Sequence, residues 1–184
     1  LKVGTYRPLS VWSAKKFGYC IPNPLLLKKS TYPENLQFIA DLDIKARSEK
    51  YSFRFLVTFF WKLIKFKFPI FPLIKILRRG FFLSFKKGLE ERMHLLKEIE
   101  LLIHTNIYYK LLKKHDLDFT VFFDYSFDTL SHIYWRGKHE KSKYYNILPK
   151  AYEIVDKFIG KVNKIAQKKK TTLIICSDHG FEEI

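Results

Sequence analysis

The second half of the chain alternates two long helical patterns with two short apolar runs, and this order restricts the possible folds most. Residues 89–114 and 149–167 carry apolar side chains every three or four positions, which predicts amphipathic helices. Residues 117–123 and 171–176 are short runs of aliphatic, aromatic and β-branched residues, which predict buried strands. Helices that alternate with strands indicate an α/β fold whose parallel sheet is covered on both faces.

An aspartate and a histidine follow the first predicted strand, at the edge where open α/β sheets bind their ligands. Asp128 and His132 are four residues apart, so a helix that starts near Asp128 would place both side chains on one face. A carboxylate and an imidazole in this arrangement can hold one divalent metal ion. The nearby Asp124 is expected either to support such a site or to cap the helix.

A second pair, Asp178 and His179, directly follows the second predicted strand. Adjacent side chains on a strand point to opposite faces, but Gly180 permits a backbone turn that brings both to one site. If the two strands are neighbours in the sheet, the two Asp/His pairs converge on one rim. Each pair alone is a weak signal, whereas two pairs in equivalent positions favour a metal site. Oxygen and imidazole ligands without a thiolate suit zinc or manganese.

The sequence is strongly basic, and two explanations of this charge are open. The formal net charge is +16, from 34 Lys and Arg against 18 Asp and Glu. A basic surface would suit anionic lipid, nucleic acid or phosphorylated substrates. The joint abundance of Lys, Phe, Ile and Tyr is also what AT-rich coding produces without any function. We favour the second explanation, and do not expect nucleic acid as a partner, because no nucleic-acid motif accompanies the charge.

The first part of the chain predicts short elements separated by loops. Residues 9–17 predict a short helix, and "YCIPNPLLL" predicts a strand that enters a proline-broken loop. Pro33 and Glu34 are suited to open another short helix. The two cysteines, Cys20 and Cys176, lie in apolar contexts without metal-binding spacing, so both are expected to be buried free thiols.

Residues 51–79 are both aromatic and basic, and they do not fit the α/β pattern. Pro69 and Pro72 interrupt the stretch, and its uncharged apolar runs are far shorter than the ~20 residues of a membrane span. We interpret it as part of a lid or cap, residues 40–88, packed on the main domain. The alternative is a helix that lies in the interface of an anionic membrane, because Lys and Arg flank the aromatic clusters.

Three segments together resemble one known family. "FTVFFDYSFDTLSHIYW", "AYEIVDKFIGKV" and "TLIICSDHGF" resemble the type I phosphodiesterase and nucleotide pyrophosphatase branch of the alkaline phosphatase superfamily. That family has a strand followed by D-x-x-x-H and an aromatic residue, a helix with Y-x-x-x-D and Gly, and a strand ending in S-D-H-G-F. The matching residues are Asp128, His132, Trp135, Tyr152, Asp156, Gly160 and residues 177–181. A weaker match, as framework only, covers Trp12, Gly18, Thr31, Tyr32 and Pro33.

The resemblance implies a three-layer α/β sandwich with a mostly parallel sheet. Residues 1–184 would form an incomplete catalytic domain that carries the helical aromatic-basic insertion. It further implies a phosphohydrolase that cleaves phosphodiesters or nucleotides through two divalent metal ions, usually zinc, and a covalent phospho-enzyme. Asp128 and His132 would hold one metal ion, and Asp178 and His179 the other.

The chain departs from the family pattern in the groups expected around these four residues. No acidic residue precedes residue 9, so the family's upstream aspartate and its Thr or Ser nucleophile are expected upstream of residue 1. A further histidine ligand is expected beyond Ile184. With two protein ligands per metal ion instead of three or four, we expect weak metal binding and no turnover from this chain alone. The alternative function is a degenerate, non-catalytic member that binds an anionic membrane or a partner through residues 51–79.

Overall fold

The computed structural model describes residues 2–7, 18–22, 31–48, 53–85, 89–135 and 144–182. These residues form three strands, one short 3₁₀ helix at Glu34–Leu36 and six α-helices. The strands are β1 Val3–Tyr6, β2 Tyr19–Ile21 and β3 Phe119–Phe122. The helices are α1 Gln37–Ser48, α2 Phe53–Lys65, α3 Ile70–Phe85, α4 Leu89–Lys114, α5 Ser126–Tyr134 and α6 Ile147–Lys169. The helix predicted for residues 9–17, with Trp12, lies outside the described residues.

The chain divides into two compact units. The first unit comprises Leu1–Ile70 and Lys110–Phe123, and the second comprises Phe71–Tyr109 and Asp124–Ile184. Helix α4 contributes to both units, because the boundary falls between Tyr109 and Lys110. All four candidate metal ligands belong to the second unit.

The sheet belongs to the first unit, and its three described strands are parallel. Their order is β2-β1-β3, with Gly4 of β1 opposite Tyr19 on one side and Thr120 on the other. Strands β2 and β3 confirm two predicted strands, whereas β1 was not predicted. The predicted burial of β3 is wrong, because Phe119 is 56% exposed and residues 120–122 are only half-buried. The α/β class and the parallel sheet are confirmed. The three-layer sandwich stays a prediction.

Gly4 lies so close to its neighbours that a side chain there would collide with them. A Cβ atom on Gly4 would be 2.6 Å from the Tyr19 ring and 2.7 Å from Leu117 Cδ1. The Tyr19 ring is fully buried and its hydroxyl forms a 2.6 Å hydrogen bond with Thr120 Oγ1, so the ring has little room to move. We expect Gly4→Ala to lower the free energy of unfolding by about 1–3 kcal/mol. Urea unfolding measures this loss.

The matched control for this prediction is Gly160→Ala in α6. A Cβ atom on Gly160 would meet no other atom within 4 Å. Alanine is favoured over glycine inside a helix, so this variant should gain about 0.5–1 kcal/mol. If Gly4→Ala unfolded at the same urea concentration as the unaltered protein, the close packing at Gly4 would be wrong.

The titration of His115 should make the stability of the first unit depend on pH. Its ring lies 5.5 Å from the Tyr19 ring, and burial and the charge of Lys114 lower the pKa of His115 from 6.5. The folded state therefore binds fewer protons than the unfolded state once the pH falls below about 6.5. The free energy of unfolding should fall as the pH drops from there through the folded pKa.

The test compares urea midpoints at about pH 7.5 and about pH 5 for the unaltered protein and for His115→Gln. Because glutamine does not titrate, the variant should lose less stability on acidification than the unaltered protein. An equal loss in both proteins would show that His115 does not cause the fall in stability at low pH.

The aromatic-basic stretch, residues 51–79, contributes two separate helices, α2 and α3. Helix α2 ends because Lys67 adopts a left-handed conformation with φ of 54°, and the Phe68 N–H donates to the Leu63 carbonyl at 3.0 Å. No helix within the described residues is long and apolar enough to cross a bilayer. The interpretation of residues 40–88 as a lid or cap stays a prediction.

The core of the second unit forms where α4, α5 and α6 meet. Its buried members are Leu101, Leu130, Tyr134, Leu148 and Ala151. Helix α4 coincides with the predicted helix of residues 89–114, and α6 extends the predicted helix by two residues at each end. In α4 the side chains of residues 101–108 are buried on every face, polar ones included. Thr105 and Asn106 satisfy their polar groups by donating to carbonyls one turn back.

The second buried strand predicted for this half of the chain, at residues 171–176, is not observed. These residues pair with no strand among the described residues, and Ile174 and Ile175 are 79% and 63% exposed. The predicted pairing with β3 is therefore wrong, because an apolar run forms a strand only where a partner edge is available. Cys176 is exposed, contrary to the prediction, whereas Cys20 is buried as predicted.

Candidate metal centre

Helix α5 positions the first Asp/His pair. Asp124 accepts hydrogen bonds from the N–H groups of Ser126 and Phe127, at 3.3 and 3.2 Å, and thereby caps the start of the helix. Of the two roles expected for Asp124, capping is the one observed. Asp128 and His132 lie one turn apart on the predicted helix, with Asp128 Oδ1 3.4 Å from His132 Nε2.

His179 reaches the same carboxylate oxygen from the far end of the chain. Its Nε2 lies 3.4 Å from Asp128 Oδ1. The Ser177 hydroxyl donates to the His179 carbonyl at 2.6 Å, and His179 Nδ1 lies 3.1 Å from the Gly180 carbonyl. A carbonyl oxygen only accepts, so this hydrogen bond places a proton on Nδ1. The Nε2 lone pair of a neutral His179 then faces Asp128.

Asp178 is the least engaged of the four candidates. Its Oδ1 is 3.9 Å from His179 Nε2, and its side chain is 75% exposed. The structure thus brings Asp128, His132 and His179 together, with Asp178 beside His179.

Each of the two Nε2 distances to Asp128 Oδ1 is longer than a typical hydrogen bond and matches the distance between two ligands of one zinc ion. This oxygen is buried and accepts no hydrogen bond from the described residues, although an imidazole Nε2 lies 3.4 Å away on each of two sides. Hydrogen bonds from N–H groups to oxygen are usually about 2.9–3.0 Å long. Zinc–oxygen and zinc–nitrogen bonds of about 2.0–2.2 Å, at a tetrahedral angle, place two ligand atoms about 3.4 Å apart.

The three side chains do not yet form a complete binding site. Among the residues that the structure describes, no group of three or more His, Cys, Asp and Glu side chains is arranged to hold a metal ion as it stands. Carboxylate oxygen and imidazole nitrogen are both atoms that zinc binds. The Nε2 atoms of His132 and His179 each lie at a distance from Asp128 Oδ1 that two ligands of one zinc ion have. A small movement of the exposed His132 and His179 rings would be needed to close them on one ion.

Phe181 holds both imidazoles of the site. Its ring centroid lies 5.0 Å from that of His132, 5.4 Å from that of His179 and 5.5 Å from that of Trp135. The aromatic residues of the two motifs therefore contact each other, and Phe181 contacts both histidine rings. The sequence identifies Phe181 and Trp135 only as members of two separate motifs. No local pattern in the sequence predicts that they contact each other.

A comparison with protein-family models matches residues 40–184 to the model described as Type I phosphodiesterase / nucleotide pyrophosphatase. The chain belongs to this family. Searches of curated proteins and of solved structures found no match. Both Asp/His pairs lie inside the matched range, whereas the weaker resemblance at residues 12–33 lies before it and stays a prediction. Membership in the phosphodiesterase family supports a phosphohydrolase-type function on phosphoester or nucleotide substrates, in a family that is generally metal-dependent.

Proposed function

We propose that the protein contributes the metal centre of a phosphohydrolase that cleaves a phosphodiester or a nucleotide pyrophosphate bond. Asp128, His132, Asp178 and His179 are the proposed ligands, and zinc is the proposed metal, with manganese as the second choice. The observation that carries the proposal is the buried Asp128 Oδ1 atom with an imidazole Nε2 at 3.4 Å on two sides, in a member of this family.

Each residue has a distinct part in this proposal. Asp128 supplies the negative charge at the centre of the site, and His132 binds from the same helix face. His179 binds through Nε2, because its Nδ1 donates to the Gly180 carbonyl, which orients the ring and makes Nε2 a better ligand. Asp178 is exposed and can turn towards a second ion.

Bound zinc would polarise the phosphoryl oxygens and activate the attacking group. No residue of this chain is assigned as the nucleophile. The number of metal ions and the covalent phospho-enzyme are carried over from the family and belong to the proposal.

The same geometry favours a working site over the non-catalytic alternative. Asp128 Oδ1 is enclosed without a hydrogen bond from the described residues although the side chain as a whole is 40% exposed, and a bound cation would offset the cost of leaving that oxygen unpaired. With its proton on Nδ1, a neutral His179 directs the Nε2 lone pair at Asp128 Oδ1, and a metal ion bound between the two atoms would remove their repulsion.

The proposal is tested by zinc binding and hydrolysis measured side by side. Isothermal titration of this chain with zinc should show weak binding that EDTA reverses. Release of p-nitrophenol from bis(p-nitrophenyl) phosphate should be absent from this chain alone and present, with zinc, in a longer form that carries the family's nucleophile. Hydrolysis that persists in EDTA, or a longer form that binds zinc without hydrolysing any phosphodiester or nucleotide, would reject the proposal.

A further inference from the structure

Helix α2 exposes an apolar stripe that is bordered by positive charge. Val57, Trp61 and Ile64 are each more than half exposed, and at 100° per residue they fall within about 60° of the helix circumference. Arg54 and Lys65 lie next to this stripe, and Lys65 Nζ is 5.5 Å from the centre of the Trp61 ring. An exposed apolar row with a tryptophan and adjacent cations is typical of a helix that lies in a membrane interface.

Helix α3 repeats this pattern independently. Ile74, Leu77 and Phe81 are 55%, 49% and 64% exposed, and they too fall within about 60° of the circumference. The exposed Arg78 borders the stripe. Soluble proteins rarely leave such continuous apolar rows uncovered without a binding role.

The charge of this region is more one-sided than coding bias explains. Residues 50–88 contain ten Lys and Arg and no Asp or Glu, whereas the other 145 residues contain all 18 acidic residues. AT-rich coding enriches lysine but does not remove aspartate or glutamate. The segment is therefore suited to an anionic surface, in which positively charged side chains meet lipid phosphates while apolar ones enter the interface.

We propose that α2 attaches the first unit to an anionic phospholipid membrane, and that α3 attaches the second unit in the same way. In this attachment the stripes of Val57, Trp61 and Ile64 and of Ile74, Leu77 and Phe81 enter the interface, and the neighbouring Arg and Lys side chains contact lipid headgroups. The attachment is independent of the metal centre, so it holds whether or not the proposed hydrolase function is correct.

The first test is co-sedimentation with vesicles of phosphatidylserine and phosphatidylcholine, compared with vesicles of phosphatidylcholine alone. The protein should bind the anionic vesicles, and the binding should weaken as salt is added, because salt screens the attraction. Repeating the sedimentation with millimolar inorganic phosphate shows whether the protein binds lipid headgroups or free phosphate. Equal binding to both vesicle types, or full competition by free phosphate, would overturn the proposal in favour of a nonspecific or a small-anion site.

Substitutions in the stripes test the apolar contribution. Trp61→Ser combined with Ile64→Ser should lower vesicle affinity at least about 10-fold, and Phe81→Ser should lower it less, because each removes apolar area that enters the interface. These side chains are exposed, so folding should be retained. The control, Ile174→Ser combined with Ile175→Ser, removes two exposed apolar side chains outside α2 and α3 and should leave the affinity unchanged. An equal loss in the control would overturn the proposal.

A charge-matched pair of variants tests whether position matters or only net charge. Arg54→Gln combined with Lys65→Gln removes two charges beside the α2 stripe and should lower affinity about 30-fold. Lys164→Gln combined with Lys168→Gln removes two exposed charges from α6 and should have little effect. If both double variants lost affinity equally, general basicity would explain the binding and the proposed surface would be wrong.

Tryptophan fluorescence reports insertion of α2 when the unaltered protein is compared with Trp61→Phe, because Trp12 and Trp135 remain in both proteins. Vesicle binding should shift the emission to shorter wavelength, and Trp61→Phe should remove that shift while the protein still sediments with the vesicles. Sedimentation without any fluorescence shift in the unaltered protein would exclude α2 from the interface.

Discussion

Replacing Asp128 with Asn should lower zinc affinity by more than about 100-fold. Losing a group that only supports a metal ligand already costs about 10–100-fold, and Asp128 is proposed to bind the metal itself. The substitution keeps the size of the side chain and removes its charge. Among the described residues, Asp128 Oδ1 is the one oxygen that both His132 and His179 approach at 3.4 Å, so removing its charge weakens both contacts to the metal. Zinc affinity is measured by competition with a chromogenic chelator.

Asp124→Asn is the matched control for this experiment. It makes the same chemical change four residues earlier, and Asn caps helices as well as Asp does. Since Asp124 is occupied by the N–H groups of Ser126 and Phe127, zinc affinity should stay within about 3-fold of the unaltered protein. Unchanged affinity in Asp128→Asn would remove the proposed site, and an equal loss in Asp124→Asn would make Asp124 a ligand.

The helices of this protein were predictable because their signals are local. The apolar repeat of residues 89–114 defines α4 to the residue, and the spacing of Asp128 and His132 places them one turn apart in any helix. Strands depend on partners that are remote in sequence. For that reason β1 was missed, and residues 171–176, although apolar, form no strand among the described residues.

The convergence of the two Asp/His pairs was predicted for a reason that proved wrong. The prediction required residues 117–123 and 171–176 to be neighbouring strands, and they are not paired. His179 nevertheless reaches Asp128, because the chain after residue 176 returns to α5 and Phe181 contacts the imidazoles of both pairs. Residue type and family pattern selected the candidate ligands, but only the three-dimensional structure reveals the contact of Phe181 with both imidazoles.

The largest single effect on stability is expected at the ion pair of Arg7 and Asp43 in the first unit. Their side chains are 5% and 1% exposed, and Arg7 Nε lies 3.4 Å from Asp43 Oδ2. Arg7→Met leaves the Asp43 carboxylate buried without this partner, and the free energy of unfolding should fall by about 3–5 kcal/mol. Urea unfolding at neutral pH measures the loss.

A double variant distinguishes the buried charge from lost packing as the cause. Arg7→Met combined with Asp43→Leu removes both charges and should recover much of the stability, because apolar side chains often replace a buried ion pair without loss. The exposed pair of Lys157 and Glu153, 3.4 Å apart, is the control, and Lys157→Met should cost less than about 1 kcal/mol. If the Arg7 and Asp43 substitutions were simply additive, the two side chains would stabilise the first unit through separate contacts, and the ion pair would contribute nothing of its own.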